Sequence, residues 1–197
     1  VHYYHHLLSR LGTAPDPEPP AMVIPEDARV WADERLPKGP LIGINPGATY
    51  GIAKQWLPDR FVDLGRRLSA HGRIVVFGGP AEAALGARAA SEIPESIDLS
   101  GRTAVSQLAA AIARCRLFVT NDTGPMHIAD AVGVPIVGIF GPTDPVTTPP
   151  FGSRHTIVRK PIECSPCLKR ECPLKHHHCM KWITVDDVWK ACQKWIT

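Results

Sequence analysis

Short apolar runs alternate with segments of helical periodicity along most of the chain. In the helical segments, apolar residues recur every three or four positions, over residues 58–71, 81–91, 105–114 and 124–132. The apolar runs have the length of strands and lie near residues 41–45, 73–78, 117–120 and 135–140. Buried strands of a parallel sheet are near-continuous apolar runs joined by crossover helices. The pattern therefore predicts an α/β domain with a Rossmann-like parallel sheet and helices on both faces.

The first 40 residues have a different composition. Five prolines lie within residues 13–25, where little can be buried, so this stretch predicts an extended, semi-rigid linker. Residues 1–12 are typical of the last helix of a preceding domain, and a further helix is predicted over residues 26–36. We therefore divide the chain into residues 1–40, a helix end with a linker, and residues 41–197, the Rossmann-like domain. A final helix is expected after a cap at Thr184.

The apolar run 117–120 ends abruptly at Asn121, and a helix is predicted to begin at Asp122 or Thr123. A helix that begins at the carboxyl end of a strand presents free N–H groups and the positive end of its dipole. Such an end suits a phosphate or diphosphate; Gly124 lets it approach, and His127 lies one turn further on. The alternative is that the first two residues only cap the helix and that the histidine is an ordinary surface residue.

Two further loops follow predicted strands and carry groups that bind anions or hydroxyls. Thr49 and Lys54 follow the run 41–45, and Glu82 follows the run 73–78. The hydroxyl and the ammonium are suited to an anion at the carboxyl edge of the sheet, and the carboxylate to ribose or sugar hydroxyls. Taken singly, the lysine could be merely solvated, and the acid could merely favour a helix N-terminus.

Five segments, in this order and spacing, resemble the ADP-heptose:lipopolysaccharide heptosyltransferases of glycosyltransferase family 9. The segments are residues 45–56, 75–82, 99–103, 120–127 and 140–145. The likeness covers nearly all of the chain from Leu41 onward and is greatest to the heptosyltransferase II branch. It implies the carboxyl-terminal, nucleotide-sugar-binding half of a two-domain GT-B enzyme, with the active site in the cleft between two Rossmann-like halves.

The resemblance also implies a reaction. The family transfers L-glycero-D-manno-heptose from ADP-heptose to the lipopolysaccharide inner core, with inversion at the anomeric carbon. Its general base lies in the amino-terminal half, so we expect this chain to be inactive by itself. Two alternatives stay open: another family member that acts at a neighbouring core position, and a non-catalytic nucleotide-sugar-binding module.

Four residues of the first loops carry roles that the resemblance implies. Thr49 and Lys54 match positions that bind the diphosphate or the sugar. The Lys54 ammonium is suited to offset charge on the departing ADP, so no cofactor is expected to be required for catalysis. Glu82 matches an acid that binds the nucleoside, and Thr103 a position that lines the adenine pocket.

The strand-to-helix turn carries the other implied contacts. Asp122, Thr123 and Gly124 match the loop that binds the diphosphate and heptose, and His127 matches its helical continuation. The expected partners are ADP-heptose, a lipopolysaccharide inner-core acceptor at the membrane surface and the amino-terminal domain of the same enzyme.

A Cys-rich segment, residues 164–179, follows the last predicted strand. Its cysteines have the spacing C-x2-C-x4-C-x6-C and lie beside three consecutive histidines: Cys164, Cys167, Cys172 and Cys179. The soft ligands permit a structural zinc site, although the spacing is not the paired one of a zinc ribbon; free thiols and disulfides are the alternatives. We expect the segment to serve structure and to leave the chemistry to the loops at the sheet edge. Cys115 and Cys192 are predicted to be ordinary buried thiols.

The charge and hydropathy of the chain bear on where it works. The net charge is +3, and the basic excess lies late in the chain. It is either a solvated face or a surface attracted to anionic lipid and lipopolysaccharide. The longest apolar stretch is far shorter than the ~20 residues that span a bilayer. We expect a cytoplasmic protein, with peripheral association at the inner membrane as an option, and no nucleic-acid partner.

Overall fold

A computed structural model describes residues 2–14 and 18–196 of the chain. This part forms six strands: β1 (Leu41–Asn45), β2 (Arg73–Val76), β3 (Ile97–Asp98), β4 (Cys115–Asn121), β5 (Ile136–Ile139) and β6 (His155–Val158). Its helices are α1 (His2–Arg10), α2 (Glu26–Arg35), α3 (Pro58–Leu68), α4 (Ala83–Glu92), α5 (Val105–Ala113), α6 (Gly124–Ala131), α7 (His178–Lys181) and α8 (Val185–Ile196). Short 3₁₀ turns lie at Ile52–Lys54 and Pro80–Glu82.

The strands form one parallel sheet in the order β3-β2-β1-β4-β5-β6. This order reverses direction between β1 and β4, the switch point at which open α/β sheets bind ligands beyond the carboxyl ends of their strands. The four predicted strands are confirmed. The sequence pattern missed β3 because it has only two residues, and β6 because this edge strand is mostly half-buried and mixes polar with apolar residues.

Two apolar layers cover the sheet, one on each face. Helices α3, α4 and α8 pack on one face, where Ile44, Phe61 and Val188 are fully buried. Helices α2, α5 and α6 pack on the other face, around Phe77 and Phe118. The predicted Rossmann-like fold with helices on both faces is therefore confirmed, and the sheet is rigid enough to fix the loops at its edge.

The first part of the chain agrees with the predicted pattern. Helix α1 forms where a helix was expected, and α2 begins at Glu26 as predicted. Residues 18–25 have no regular secondary structure, and the Met22 N–H donates to the Ala131 carbonyl at 2.9 Å. Residues 15–17 of the predicted linker lie outside the described residues. Within the part that the structure describes, no helix is long and apolar enough to cross a membrane.

Helix α8 begins with a reciprocal cap, which confirms the predicted role of Thr184. Its hydroxyl and its N–H donate to Asp187 Oδ2, both at 2.8 Å, and the Asp187 N–H donates back to the hydroxyl at 3.2 Å. Lys160 forms an ion pair with the same carboxylate at 2.8 Å. Burial opposes the charge, but the lysine and the cap outweigh burial and lower the pKa of Asp187 to about 2.

Candidate donor-binding site

The loops that follow β1 and β4 meet at the switch point of the sheet. Asn121, the last residue of β4, is fully buried, and its Oδ1 accepts the Trp56 N–H at 3.0 Å. Its Nδ2 donates to the carbonyls of Pro46 and Gly47, both at 3.0 Å. One amide therefore fixes both ends of the loop that carries Lys54. No role was predicted for Asn121 from the sequence. A polar amide at the end of an apolar strand could have indicated that it bonds a neighbouring loop.

A second amide, Asn45 at the end of β1, joins this strand to the turn after β4. Its Nδ2 lies 3.3 Å from the hydroxyls of Thr120 and Thr123, to which it donates. Its Oδ1 is buried and has no partner within the described residues. Asn45 was part of the resembling motif, but no role was predicted for it. The two asparagines together fix the relative position of the two loops.

Lys54 and Asp122 form an ion pair across these loops. Lys54 Nζ lies 2.7 Å from Asp122 Oδ2 and 3.3 Å from the Asp122 carbonyl oxygen. The two side chains are only 13% and 4% exposed, so solvent screens this pair less than it screens the surface pairs. Asp122 is therefore no helix cap: α6 begins at Gly124, and the N-cap residue Thr123 makes no side-chain cap bond. Neither residue therefore makes a side-chain capping bond, although Thr123 occupies the N-cap position.

The ion pair lines a cavity of about 220 Å³ at the N-terminus of α6. Its walls are Thr49, Tyr50, Lys54, Asp122, Thr123, Gly124, His127 and Thr148. A Cβ at Gly124 would have no atom within 4 Å, so packing within the protein does not require glycine there. His127 is exposed at the cavity, as expected for a residue one turn into the helix. Pro125 has no N–H, and the Met126 N–H donates to the Thr123 carbonyl at 3.0 Å. The Gly124 N–H, the positive end of the α6 dipole, a cation and hydroxyls can together bind an anionic group.

Glu82 lies beside this cavity and is already held by hydrogen bonds. The Thr49 hydroxyl donates to Glu82 Oε1 at 3.2 Å, and the Gly79 N–H donates to Oε2 at 2.8 Å. A Cβ at Gly47 would lie 2.2 Å from the Glu82 carboxyl carbon, so only glycine permits this approach. The carboxylate retains capacity to accept further hydrogen bonds from a ligand.

The structure brings all the predicted site residues together except one. Thr103 follows β3 and is half-buried, and within the described residues it has no hydrogen bond to the others. Its loop lies at the same edge of the sheet, because β3 is parallel to β2, but two strands separate it from β4. A place in an adenine pocket therefore stays a prediction for Thr103.

The Cys-rich segment encloses a small cavity of about 20 Å³. Its four cysteines, with His176 and His177, contribute to the lining. All six cysteines of the chain are free thiols, and among the described residues no three His, Cys, Asp or Glu side chains are placed to hold a metal ion. Burial, followed by the neighbouring thiols, raises the pKa of Cys179 to about 11. Cys115 and Cys192 are buried, as predicted, and this burial raises the pKa of both thiols to about 12.

The same segment contacts the Lys54 loop directly, although it lies far from that loop in sequence. The Ala53 N–H donates to the Arg170 carbonyl at 3.0 Å, and His177 Nε2–H donates to the Ala53 carbonyl at 2.9 Å. The Leu168 N–H donates to the carbonyl of Pro142, in the loop after β5, at 2.9 Å. The fold alone brings Ala53 to its two partners, because more than 100 residues of sequence separate them. A larger cavity of about 690 Å³ lies along the segment, and none of the predicted donor residues lines it.

Comparisons with known proteins agree with this geometry. The profile described as glycosyltransferase family 9 (heptosyltransferase) matches residues 1–178. A lipooligosaccharide heptosyltransferase 2 of Campylobacter jejuni (serotype O:6) is 36% identical over 164 residues, which are 78% of this chain and 51% of that protein. The chain thus spans about half the length of the curated relatives it matches.

Solved structures share the fold as well. The E. coli ADP-heptose lipopolysaccharide heptosyltransferase II has a TM-score of 0.76 at 25% identity, over 89% of this chain and 53% of that one. A family 9 glycosyl transferase from Veillonella parvula has a TM-score of 0.85 at 27% identity, over 98% of this chain and 58% of that one. The match over most of the chain and the loops that meet at the switch point lead to the same conclusion: this chain belongs to glycosyltransferase family 9, the heptosyltransferases.

Proposed function

We propose that this chain is the donor-binding half of a two-domain heptosyltransferase of type II. The enzyme transfers L-glycero-D-manno-heptose from ADP-heptose to the lipopolysaccharide inner core, with inversion. The observation that carries the proposal is the Lys54–Asp122 pair, which lies at the switch point beside the N-terminus of α6. An anion-binding helix end and a cation meet there in one cavity, which is what a nucleotide diphosphate needs.

The donor is recognised by groups of three loops. The Gly124 N–H and the positive end of the α6 dipole bind the diphosphate, which can approach the backbone closely because Gly124 has no side chain. Thr49 and His127 contribute polar groups to the walls of the cavity. Glu82 accepts hydrogen bonds from the ribose hydroxyls, and Asp122 those of the heptose. Thr103 lines the adenine pocket on the side of β3.

Lys54 supplies the charge that the reaction requires. In the free chain its ammonium is paired with Asp122, which fixes the ammonium beside the N-terminus of α6. When the bond between heptose and diphosphate breaks, negative charge grows on the departing ADP, and a preorganised ammonium stabilises it. We therefore propose that turnover requires no cofactor. The general base that activates the acceptor hydroxyl belongs to the other half of the enzyme.

The setting of the enzyme follows from its acceptor. The inner core is carried on a lipid, so we propose a cytoplasmic enzyme that works at the surface of the inner membrane and contacts its own amino-terminal domain. The late basic residues, including Arg159, Lys169 and Lys175, are exposed and suit attraction to that anionic surface. An acceptor at a neighbouring core position would leave every contact described here unchanged.

For the Cys-rich segment we propose free thiols, with a structural zinc as the alternative. The four cysteines line one cavity, but zinc would require their sulfur atoms to move to about 2.3 Å from the ion. Metal analysis of the purified chain separates the two: about one zinc per chain, retained through dialysis, would establish the alternative.

Isothermal titration calorimetry on this chain tests the donor assignment. We expect ADP to bind more tightly than UDP or GDP, and weakly in absolute terms because the cleft has a second wall in the complete enzyme. Equal affinities for ADP and UDP would contradict adenine recognition. A chain that is folded, as judged by circular dichroism, and binds no nucleotide would contradict the proposal as a whole.

A further inference from the structure

Tyr50 lies between two cationic side chains at the edge of the donor cavity. Lys54 Nζ and Arg170 Cζ are each 4.9 Å from the centroid of its ring. The two positive groups are therefore no more than about 10 Å apart, a distance at which both can act on one anionic ligand. The ring itself is 47% exposed and lines the cavity with Lys54.

The backbone of Arg170 is fixed at this place by contacts of its own. Its carbonyl accepts the Ala53 N–H at 3.0 Å, directly beside Lys54. A Cβ on Gly51 would lie 2.4 Å from the same carbonyl oxygen, so the segment packs against a residue without a side chain. The stack on Tyr50 then directs the guanidinium, since Arg favours aromatic faces.

The charges of the cavity leave a role for this side chain. The Lys54 ammonium is largely compensated by Asp122, which is only 4% exposed. A nucleotide diphosphate carries more than one negative charge and needs further positive charge for tight binding. Within residues 2–14 and 18–196, Arg170 forms no ion pair.

We propose that Arg170 is a further residue of the donor site and binds a phosphate group of the nucleotide, with Tyr50 as the platform that holds its guanidinium. The inference rests on the proposed function. It gives the Cys-rich segment a second role, because the segment then presents a cation to the site that the sheet-edge loops form. A planar guanidinium suits this role because it forms paired hydrogen bonds to phosphate oxygens.

The decisive experiment compares R170A with the matched variant K169A, which removes the same charge from the neighbouring exposed residue. By calorimetry we expect R170A to weaken ADP binding about fivefold, as loss of one charge-assisted contact at a partly exposed site does. K169A should stay within about twofold of the wild type, because only the general field changes. Adenosine, which lacks phosphate, should bind R170A and the wild type equally, and R170K should recover part of the ADP affinity.

Melting temperatures of all variants are measured alongside, and Y50L is a second variant that removes the platform and keeps the guanidinium. We expect Y50L to weaken ADP binding in the same direction, with little further loss in Y50L/R170A. ADP affinity that is equal in R170A and wild type, or lowered equally in R170A and K169A, would overturn the inference. A wild-type chain that binds no ADP would instead refute the proposed function, so the two failures are distinguishable.

Discussion

Two regions of this chain meet at Ala53, and they are built in different ways. The sheet-edge cluster, formed by Asn45, Lys54, Asn121 and Asp122, is joined side chain to side chain and side chain to backbone from the ends of β1 and β4. The Cys-rich segment has little regular structure except α7, and it is held by backbone contacts and by thiols around a small cavity. Lys54 of the first region lines the donor cavity, and Arg170 of the second stacks on Tyr50, another residue of the cavity wall.

The comparison shows that one region orients the polar groups of the site, whereas the other mainly stabilises the structure around them. In the sheet-edge cluster each polar group is oriented by a rigid strand end, so small displacements would separate partners that are buried and hard to replace. In the Cys-rich segment several contacts to the rest of the fold are made by the backbone, and the side chains of His177 and Arg170 add contacts to Ala53 and Tyr50. Substitutions in the first region should therefore act on ligand binding and turnover, whereas substitutions of the cysteines in the second should act mainly on stability.

The largest effect is expected for K54A in the complete two-domain enzyme. On the proposed function, K54A removes the ammonium that stabilises charge on the leaving ADP and should lower kcat/KM by roughly 10²-fold or more. The wild type should also keep its turnover in EDTA. The control is K38A. Lys38 is exposed and lies just before β1, at the amino ends of the strands, so this variant should turn over normally.

K54A also leaves the buried Asp122 carboxylate without its cation, which destabilises the fold. The double variant K54A/D122N removes that charge and should regain stability while turnover stays low. A strict requirement of the wild type for added Mg²⁺ or Mn²⁺ would show that the charge has been assigned to the wrong group.

The second prediction concerns the Cys-rich segment and uses the double variant C164S/C167S. These thiols line the enclosed cavity, and a more polar, smaller side chain there should lower the free energy of unfolding by about 2 kcal/mol. ADP affinity of the folded chain should stay within about twofold. A variant with the wild-type melting temperature and no ADP binding would place these cysteines in the donor site.

The variant G124A tests ligand binding at the sheet edge separately from the stability of the fold. A Cβ there meets no protein atom within 4 Å, so stability should be unchanged or slightly higher. ADP affinity should fall about tenfold, because the new methyl group keeps the diphosphate from the backbone N–H at residue 124 and from the positive end of the α6 dipole. Unchanged ADP affinity would show that the diphosphate does not bind at the N-terminus of α6.

A matched glycine variant, G47A, is expected to behave in the opposite way. Its new methyl group would lie 2.2 Å from the Glu82 carboxyl carbon, so this flexible carboxylate must move. The movement breaks its hydrogen bonds from Thr49 and Gly79, so the chain should lose a little stability even without ligand.

The smallest effect concerns Asp187, whose ion pair joins Lys160, shortly before the Cys-rich segment, to the first turn of α8. Because the pKa of Asp187 is lowered to about 2, its contribution to stability is complete above the ordinary value near pH 4 and is lost as the pH falls towards 2. D187A should lower the free energy of unfolding at pH 7 by about 1 kcal/mol, since both groups of the ion pair are partly exposed.

Denaturant titrations at several pH values check this. The difference between D187A and the wild type should shrink between pH 4 and pH 2. D186A, which changes a more exposed acid of the same helix turn, is the control and should have a smaller effect. A difference that stays constant down to pH 2 would show that the charge of Asp187 is not what stabilises the cap.

The periodicity of the sequence was sufficient for the four central strands, for the helices between them and for the cap of α8. These elements are long and apolar enough, or carry a local capping signal, so their own residues specify them. The pattern failed at β3 and β6, a two-residue strand and a half-buried edge strand, because the sheet that they join supplies most of their stability. Those omissions did not affect the site, which forms between β1 and β4.

By itself, the sequence determined which polar loops follow the strands, because a strand that ends in polar residues before a helix is a local signal. It also placed Thr49, Lys54, Glu82 and the Asp122–Gly124 turn at one edge of a parallel sheet. Only the tertiary structure decided that Lys54 is paired with Asp122, that Asn45 and Asn121 fix the loops, and that Arg170 reaches Tyr50. These contacts join residues that lie far apart in the chain, 68 positions for Lys54 and Asp122. No local pattern specifies them, because they exist only once packing of the sheet has fixed where each strand ends.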